Sequence, residues 1–348
     1  MKIVKTKDAV GLTLCHDITE IIPGVCKDAR FRRGHMVCKE DIPTLLAIGK
    51  EHLYVWEASD EQTVHEDDAA GYLAEFTCGK DAGIDVSDVN QGKIELKANV
   101  HGIFQSDTDR LFQLNRIPYV SIAARRGNSS VRPGDLLATM RVIPLTVPKE
   151  TISTVAAVAA VASENIFRIR PYCSKKIAVI TTGNEVYTGK IVDGMLPALN
   201  RVLSPFDTET IGQTVLPDDP EQITSAILQF AKKGAEVIFV AGGMSVDPDD
   251  QTPRAIKDTG ASIITYGMPV NPGSMYMLAY LDVEGREITI LGVPGGILHS
   301  KRSAIDILLP RIFANIRLCK EDLVRMSNGG LCFSCVNCIF PDCGFGAS

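Results

Sequence analysis

No apolar run in this 348-residue chain is long enough to span a bilayer; the most apolar stretch, residues 154–162, is short and rich in alanine. A basic surplus is missing too. With 36 Lys and Arg against 42 Asp and Glu, a formal net charge of -6 and an isoelectric point near 5.6, no basic face is expected for nucleic acid. The opening MKIVKTKDAVG is too charged for the apolar core of a secretion signal, so a cytoplasmic, reducing location is expected. No G-x-G-x-x-G opens a helix after a first strand, no Walker A loop is present, and no Ser-His-Asp arrangement suggests itself. Dehydrogenase and nucleotide-hydrolase readings lose ground accordingly.

What is there is ordinary globular composition, 45% hydrophobic and 22% charged, with length for two or three cores. Ten cysteines stand out. Cys15, Cys26, Cys38, Cys78, Cys173 and Cys319 are scattered singly and read as small buried hydrophobes. The other four, Cys332, Cys335, Cys338 and Cys343, crowd the end of the chain.

The organisation expected is α+β up to residue 58, a middle α+β domain over 59–150, and a linking helix and strand over 151–173. An α/β domain then covers 174–318, and a Cys-rich tail covers 319–348. DIPTLLAIGKE has helical spacing, starts at Asp41 and carries Pro43 in its first turn, and HLYVWE follows as a strand. Residues 59–68 are polar and acidic, as in a linker, before a helix over 69–76. The middle part shows no chemical motif. Arg33-Gly34 and Arg132-Pro133-Gly134 each precede a helix and a strand, a faint repetition.

After Lys175 the pattern becomes strand, loop, helix in alternation, which predicts a doubly wound, mostly parallel sheet. In DDPEQITSAILQFAKKG, Asp218 or Asp219 serves as N-cap before Pro220. ILHSKRSAIDILLPRIFAN reads as one long helix beginning near His299 and interrupted around Pro310. Ligands of such sheets sit beyond the carboxyl ends of the strands. Four Gly-bearing loops fall there: Gly183-Asn184-Glu185, Gly242-Gly243-Met244-Ser245 through Thr252, Pro272-Gly273-Ser274, and Pro294-Gly295-Gly296. Glycine lets backbone N–H groups approach an anion, and Glu185, Asp247, Asp249 and Asp250 are hard oxygen donors suited to Mg²⁺. Asp249 or Asp250 also suits N-capping of the helix near Pro253.

These residues carry a resemblance. TTGNEVYTGKIVD resembles the TGDEL segment of the molybdopterin-binding domain shared by MoeA-like molybdotransferases and MogA/MoaB-like adenylyltransferases. AGGMSVDPDDQTP resembles that family's GGVSVG and GGTG…D-x-TP loops, and LGVPGG its GLPGNP loop. The resemblance implies that Gly183, Gly242, Gly243, Ser245, Thr252, Gly273, Ser274, Gly295 and Gly296 bind the pterin and its phosphate. It implies catalytic roles for Glu185, Asp247 and Asp250, with Glu185 and Asp250 on Mg²⁺. The function implied is molybdenum cofactor biosynthesis: binding molybdopterin or adenylyl-molybdopterin and assisting Mg-dependent molybdate insertion, in a homodimer. The alternative is a non-catalytic carrier or sensor of molybdopterin with a metal-binding tail. The sequence departs from the family at Asn184, where the family has Asp, and at Gly295-Gly296-Ile297, where it has GNP. The chain after about Asn315 reads as a short tail rather than the β domain usual in MoeA-like proteins.

Within that tail, C-x2-C-x2-C-x4-C is close to iron–sulfur spacing and also compatible with a Cys₄ zinc site. Metal binding by Cys332, Cys335, Cys338 and Cys343 is therefore expected, with the metal left open.

Overall fold

The computed structural model describes residues 1–22, 26–56 and 62–346, and of residues 21, 22 and 26–28 only the backbone. Lys2–Lys5 pairs antiparallel with His52–Val55, and helix Asp41–Ala47 buries Leu45 against Leu14, Ile18, Val37 and Leu53. Part of the expected linker lies outside the described residues, and the side chain of Cys26 lies outside them as well. The remainder is not a linker. Thr63–His65 pairs with Thr146–Pro148, and a helix starts directly at Glu66. Its first turn holds Glu66, Asp67 and Asp68, acids that oppose the positive end of the helix dipole; His65 caps it by accepting the Asp67 N–H at 3.2 Å. An acidic run that reads as solvated linker is thus a helix start.

The middle domain combines a four-stranded and a three-stranded sheet with helix Glu66–Thr77. The segment expected as a link packs into it. Helix Lys149–Ala159 buries Ile152 and Val155 beside Phe104 and Phe167, and Phe167–Pro171 pairs antiparallel with Gly102–Ser106. Buried Arg110 fastens this helix end by donating to the carbonyl oxygens of Ala159 at 2.8 Å and Glu164 at 2.6 Å. The faint repetition does not survive: strands Leu136–Val142 and Thr146–Pro148 intervene between Gly134 and its helix, with no counterpart after Gly34.

The C-terminal domain is built on six strands: β1 (Lys175–Thr182), β2 (Thr208–Leu216), β3 (Val237–Ala241), β4 (Ser262–Tyr266), β5 (Met277–Val283) and β6 (Arg286–Val293). Their order is β2-β1-β3-β6-β5-β4; only β5 runs against the rest, joined to β6 by the hairpin turn at Glu284-Gly285. The apolar runs of β1 and β3 are buried, as strands covered on both faces must be. Helices α1 (Met195–Leu203), α2 (Pro220–Lys232), α3 (Thr252–Asp258) and α4 (Ala304–Phe313) provide that cover. The expected doubly wound, mostly parallel sheet is present. The last helix differs from expectation: Gly295–Leu298 is a separate 3₁₀ turn ending at His299, and α4 begins at Ala304, where Ser303 and Asp306 form a capping box. Pro310 lies inside α4 and does not interrupt it.

The tail is part of this domain. Phe345 is 4% exposed and joins the domain core, with Phe340 packed against it. Backbone bonds tie the segment down, Cys332 N–H to the Asn271 oxygen at 2.9 Å and Gly346 N–H to the Gly329 oxygen at 3.0 Å. Of the single cysteines, Cys15 and Cys78 are buried as expected, and burial pushes the Cys78 thiol up to about 11. Cys38, Cys173 and Cys319 are exposed instead: Cys38 precedes helix Asp41–Ala47 and Cys319 caps helix Lys320–Arg325, positions set by the chain ends of helices rather than by the core.

Candidate functional site

The carboxyl ends of β1, β2 and β3 bring their loops together. Gly242 and Gly243 turn the chain out of β3 with positive φ, 108° and 56°, values that favour glycine. They also sit too close for side chains. A Cβ on Gly242 would lie 2.3 Å from the Thr182 carbonyl oxygen, and one on Gly243 would lie 2.8 Å from the Thr252 hydroxyl and 3.4 Å from the Asp218 carboxylate. Gly295 and Gly296, after β6, border open space.

Asp250 closes the β3 loop on itself, its Oδ2 accepting the Ser245 N–H at 2.6 Å, while its own N–H reaches the Asp247 oxygen at 3.0 Å. Thr252 is fully buried beneath the loop, its hydroxyl 3.2 Å from that of Thr182 and its N–H on the Gly243 oxygen. Its place is underneath the loop rather than on its outer surface. Tyr266, at the end of β4, props the same loop by donating its hydroxyl to the carbonyl oxygens of Met244 at 3.0 Å and Ser245 at 3.2 Å.

Asp219, not Asp218, caps α2. That frees Asp218 for the edge, where its Oδ2 accepts the Asn184 N–H at 2.9 Å. Burial pushes the Asp218 carboxyl above its usual range, and repulsion from Asp250, Glu185 and Asp249 adds to the shift. Glu185 and Asp247 are exposed. Asp193 takes the Thr181 hydroxyl at 2.9 Å and the Met195 N–H at 2.8 Å, joining the β1 loop to the start of α1. Sequence reading missed Asp218, Asp193 and Tyr266 as site residues; the only available signal was the doubled Asp before Pro220, one more than a cap needs.

Gly273 and Ser274 stand apart from that cluster. A Cβ on Gly273 would lie 2.7 Å from the Ala304 N–H nitrogen, so this glycine permits the loop to pack on the start of α4. Ser274 is exposed.

Metal expectations find little here. Among the described residues no group of three or more His, Cys, Asp or Glu side chains is placed to hold a metal ion. The tail thiols are not gathered into a tetrahedron: Cys332 and Cys343 pack against the domain core, while Cys335 and Cys338 are exposed. Spacing alone cannot see that Phe340 and Phe345 anchor the segment and set where each thiol goes. Among the described residues no helix is long and apolar enough to cross a membrane.

Residues 178–314 match the family model described as "Probable molybdopterin binding domain", and residues 3–57 match a "Domain of unknown function (DUF8806)". A CinA-like protein of Amoebophilus asiaticus is 25% identical over 163 residues, 42% of this chain and 39% of the relative. A molybdopterin molybdenumtransferase of Nostoc sp. is 26% identical over 155 residues, 42% of this chain and 35% of the relative. This chain thus spans well under half the length of those two relatives. A molybdopterin adenylyltransferase of Pyrococcus furiosus is 22% identical, over 42% of this chain and 92% of the relative. Among solved structures, the tungsten cofactor synthesizing protein MoaB from Pyrococcus furiosus aligns with a TM-score of 0.35 at 20% identity, covering 42% of this chain and 98% of that one. The glycine loops and carboxylates described above thus lie within residues 178–314, the segment that matches the molybdopterin-binding domain model.

Proposed function

We propose that the loops at the ends of β1, β3 and β6 bind molybdopterin or its adenylate, and that the protein assists Mg-dependent insertion of molybdate. The observation that carries this reading is the meeting of Gly242, Gly243 and Asp250 with Asp218 and Asn184 at one sheet edge, in the segment that matches that domain model. Glycines without room for a Cβ leave the backbone as the ligand-facing surface, which suits a phosphate. Exposed Ser245 lies on the loop that Asp250 and Tyr266 hold in place.

Mg²⁺ would take one or two carboxylates, from Glu185, Asp218 and Asp250, and complete its shell with phosphate oxygens and water, which is its usual habit. When bound it neutralises phosphate charge. Before that, Asp218 feels three neighbouring carboxylates, a repulsion that a divalent cation relieves. The same reading proposes a homodimer acting in the cytoplasm.

A second reading, a carrier that holds the cofactor without turnover, is favoured by Asn184. Where the family has an acid, this chain has an amide whose Oδ1 accepts the Asp218 N–H at 3.3 Å. Purified protein supplied with molybdopterin, ATP, Mg²⁺ and molybdate separates the two. Molybdenum inserted into the pterin supports the enzyme; pterin bound without insertion supports the carrier; absence of pterin binding contradicts both.

A further inference from the structure

The middle domain has no chemical motif in its sequence, yet it meets the C-terminal domain at a cleft of about 340 Å³, within the size range of small-molecule sites. Arg125 and Arg132 line it from the middle domain, with His101 beside them. Arg201 comes from the last turn of α1 and Arg302 from just before α4. None of the glycine loops at the strand ends contributes to the lining.

Three carboxylates also line the cleft, and each is already engaged. Asp306 is 7% exposed; it takes the Ser303 N–H at 2.8 Å and the Arg302 guanidinium at 2.7 Å. Asp135 accepts the backbone N–H of Arg132 at 2.9 Å and lies 3.8 Å from Arg125. Asp342, supplied by the tail, pairs with Arg125. No ion pair among the described residues includes Arg132 or Arg201. Arg201 donates to the carbonyl oxygens of Ile297 at 3.0 Å and Ser300 at 3.5 Å, bonds that orient its guanidinium without neutralising it. Two guanidinium charges therefore remain uncompensated by carboxylate in one concave site.

Apart from Ser130, whose hydroxyl meets that of Tyr172, the rest of the lining is apolar, including Val202, Phe206, Leu309 and Phe340. Phe206 is held between Tyr172 and Phe313, with ring centroids 5.0 Å and 4.4 Å away. Phe340 lies under the Arg302 guanidinium at 4.8 Å. A rigid aromatic wall beside unpaired guanidinium groups suits a ligand with one apolar or ring portion and one anionic end. Guanidinium forks match phosphate oxygens in geometry and charge.

We propose that this interdomain cleft binds a small organic phosphate, its phosphate on Arg132 and Arg201 and its ring or apolar body against Phe206 and Phe340. The site is separate from the pterin edge and does not depend on that reading. It makes the tail a structural wall of a ligand site, because Phe340 and Asp342 close one side.

Calorimetric titration of the full chain with inorganic phosphate and with AMP tests this. AMP serves as an organic phosphate carrying a ring. Gly243→Val is the background that blocks the strand-end loops. AMP is expected to bind more tightly than phosphate, and to keep binding in Gly243→Val. Arg132→Ala should weaken AMP by about tenfold or more, since a charge-assisted guanidinium bond is lost. Arg132 makes its turn bond through the backbone, so this variant keeps the local fold. Arg201→Ala should weaken AMP similarly. Unchanged affinity in both Arg variants, loss of AMP binding in Gly243→Val alone, or no binding of AMP by the parent would each overturn the proposal.

Discussion

Asn184 and Asp218 fasten two loops to each other: the Asn184 N–H donates to Asp218 Oδ2 at 2.9 Å, and Asn184 Oδ1 accepts the Asp218 N–H at 3.3 Å. The pair links the ends of β1 and β2 and fixes where Asp218 stands among Asp250, Glu185 and Asp249. Because its carboxyl is raised by burial and by those neighbours, folding shifts this group toward protonation relative to the unfolded chain. A raised carboxyl contributes stability below the unfolded value, about 3.9, and that contribution is lost as pH climbs through the folded value. Asp218→Asn keeps an acceptor for the Asn184 N–H and removes the repulsion. Unfolding midpoints measured from about pH 3 to 7 should show a weaker decline above pH 4 in the variant, with neutral-pH stability no more than about 0.5 kcal/mol below the parent. A slope equal to the parent's contradicts this.

Gly243→Val places a side chain where φ is 56° and where its Cβ would meet the Thr252 hydroxyl at 2.8 Å. Denaturant unfolding should register a loss of about 1–3 kcal/mol, the usual cost of a strained left-handed residue. Ligand binding at the edge should fall further than stability does, since the loop itself is re-aimed.

Phe345 ties the tail to the domain core, so Phe345→Ala should cost about 3 kcal/mol and release the segment. Limited proteolysis reads this directly: cleavage after residue 326 should speed up while the β-sheet resists. Unchanged cleavage would show that the backbone ties at Cys332 and Gly346 suffice.

Phe340 and Phe345 against the domain core and the backbone bonds of Cys332 and Gly346 hold the tail, so its stability is expected to be independent of metal. Excess chelator should leave the unfolding midpoint within about 1 °C of the untreated protein, whereas a domain folded around zinc would collapse. Stoichiometric zinc or iron in protein purified without oxygen, lost together with stability on chelation, would contradict this account of the tail.

The parts of the fold that sequence revealed are those where one residue type has one physical reason to be where it is. Buried runs such as KIAVITT and EVIFVA have no polar face to offer water, and the structure makes them β1 and β3. Pro220 can occupy only the first turn of its helix, and it does. Other residues have several possible uses. Glu66, Asp67 and Asp68 suit a solvated linker or a helix start, and only the pairing of Thr63–His65 with Thr146–Pro148 decides between them. Ser303 and Asp306 cap α4, but an equally apolar start was readable at His299. At the site, Gly242 and Gly243 were legible because glycine pairs after a strand have few other purposes. Asp218 was not, because its role depends on Asn184, 34 residues away along the chain. The arginine cleft was invisible for the same reason: its members come from separate domains and from the tail.

The most direct test of the central claim is equilibrium binding of molybdopterin to the full chain, followed by its fluorescence, for the parent and Gly243→Val side by side. The account predicts saturable binding at one site by the parent and a drop of about tenfold or more in the folded variant, since the glycine loop forms the contact. No saturable binding by the parent, or equal binding by both proteins, would contradict it.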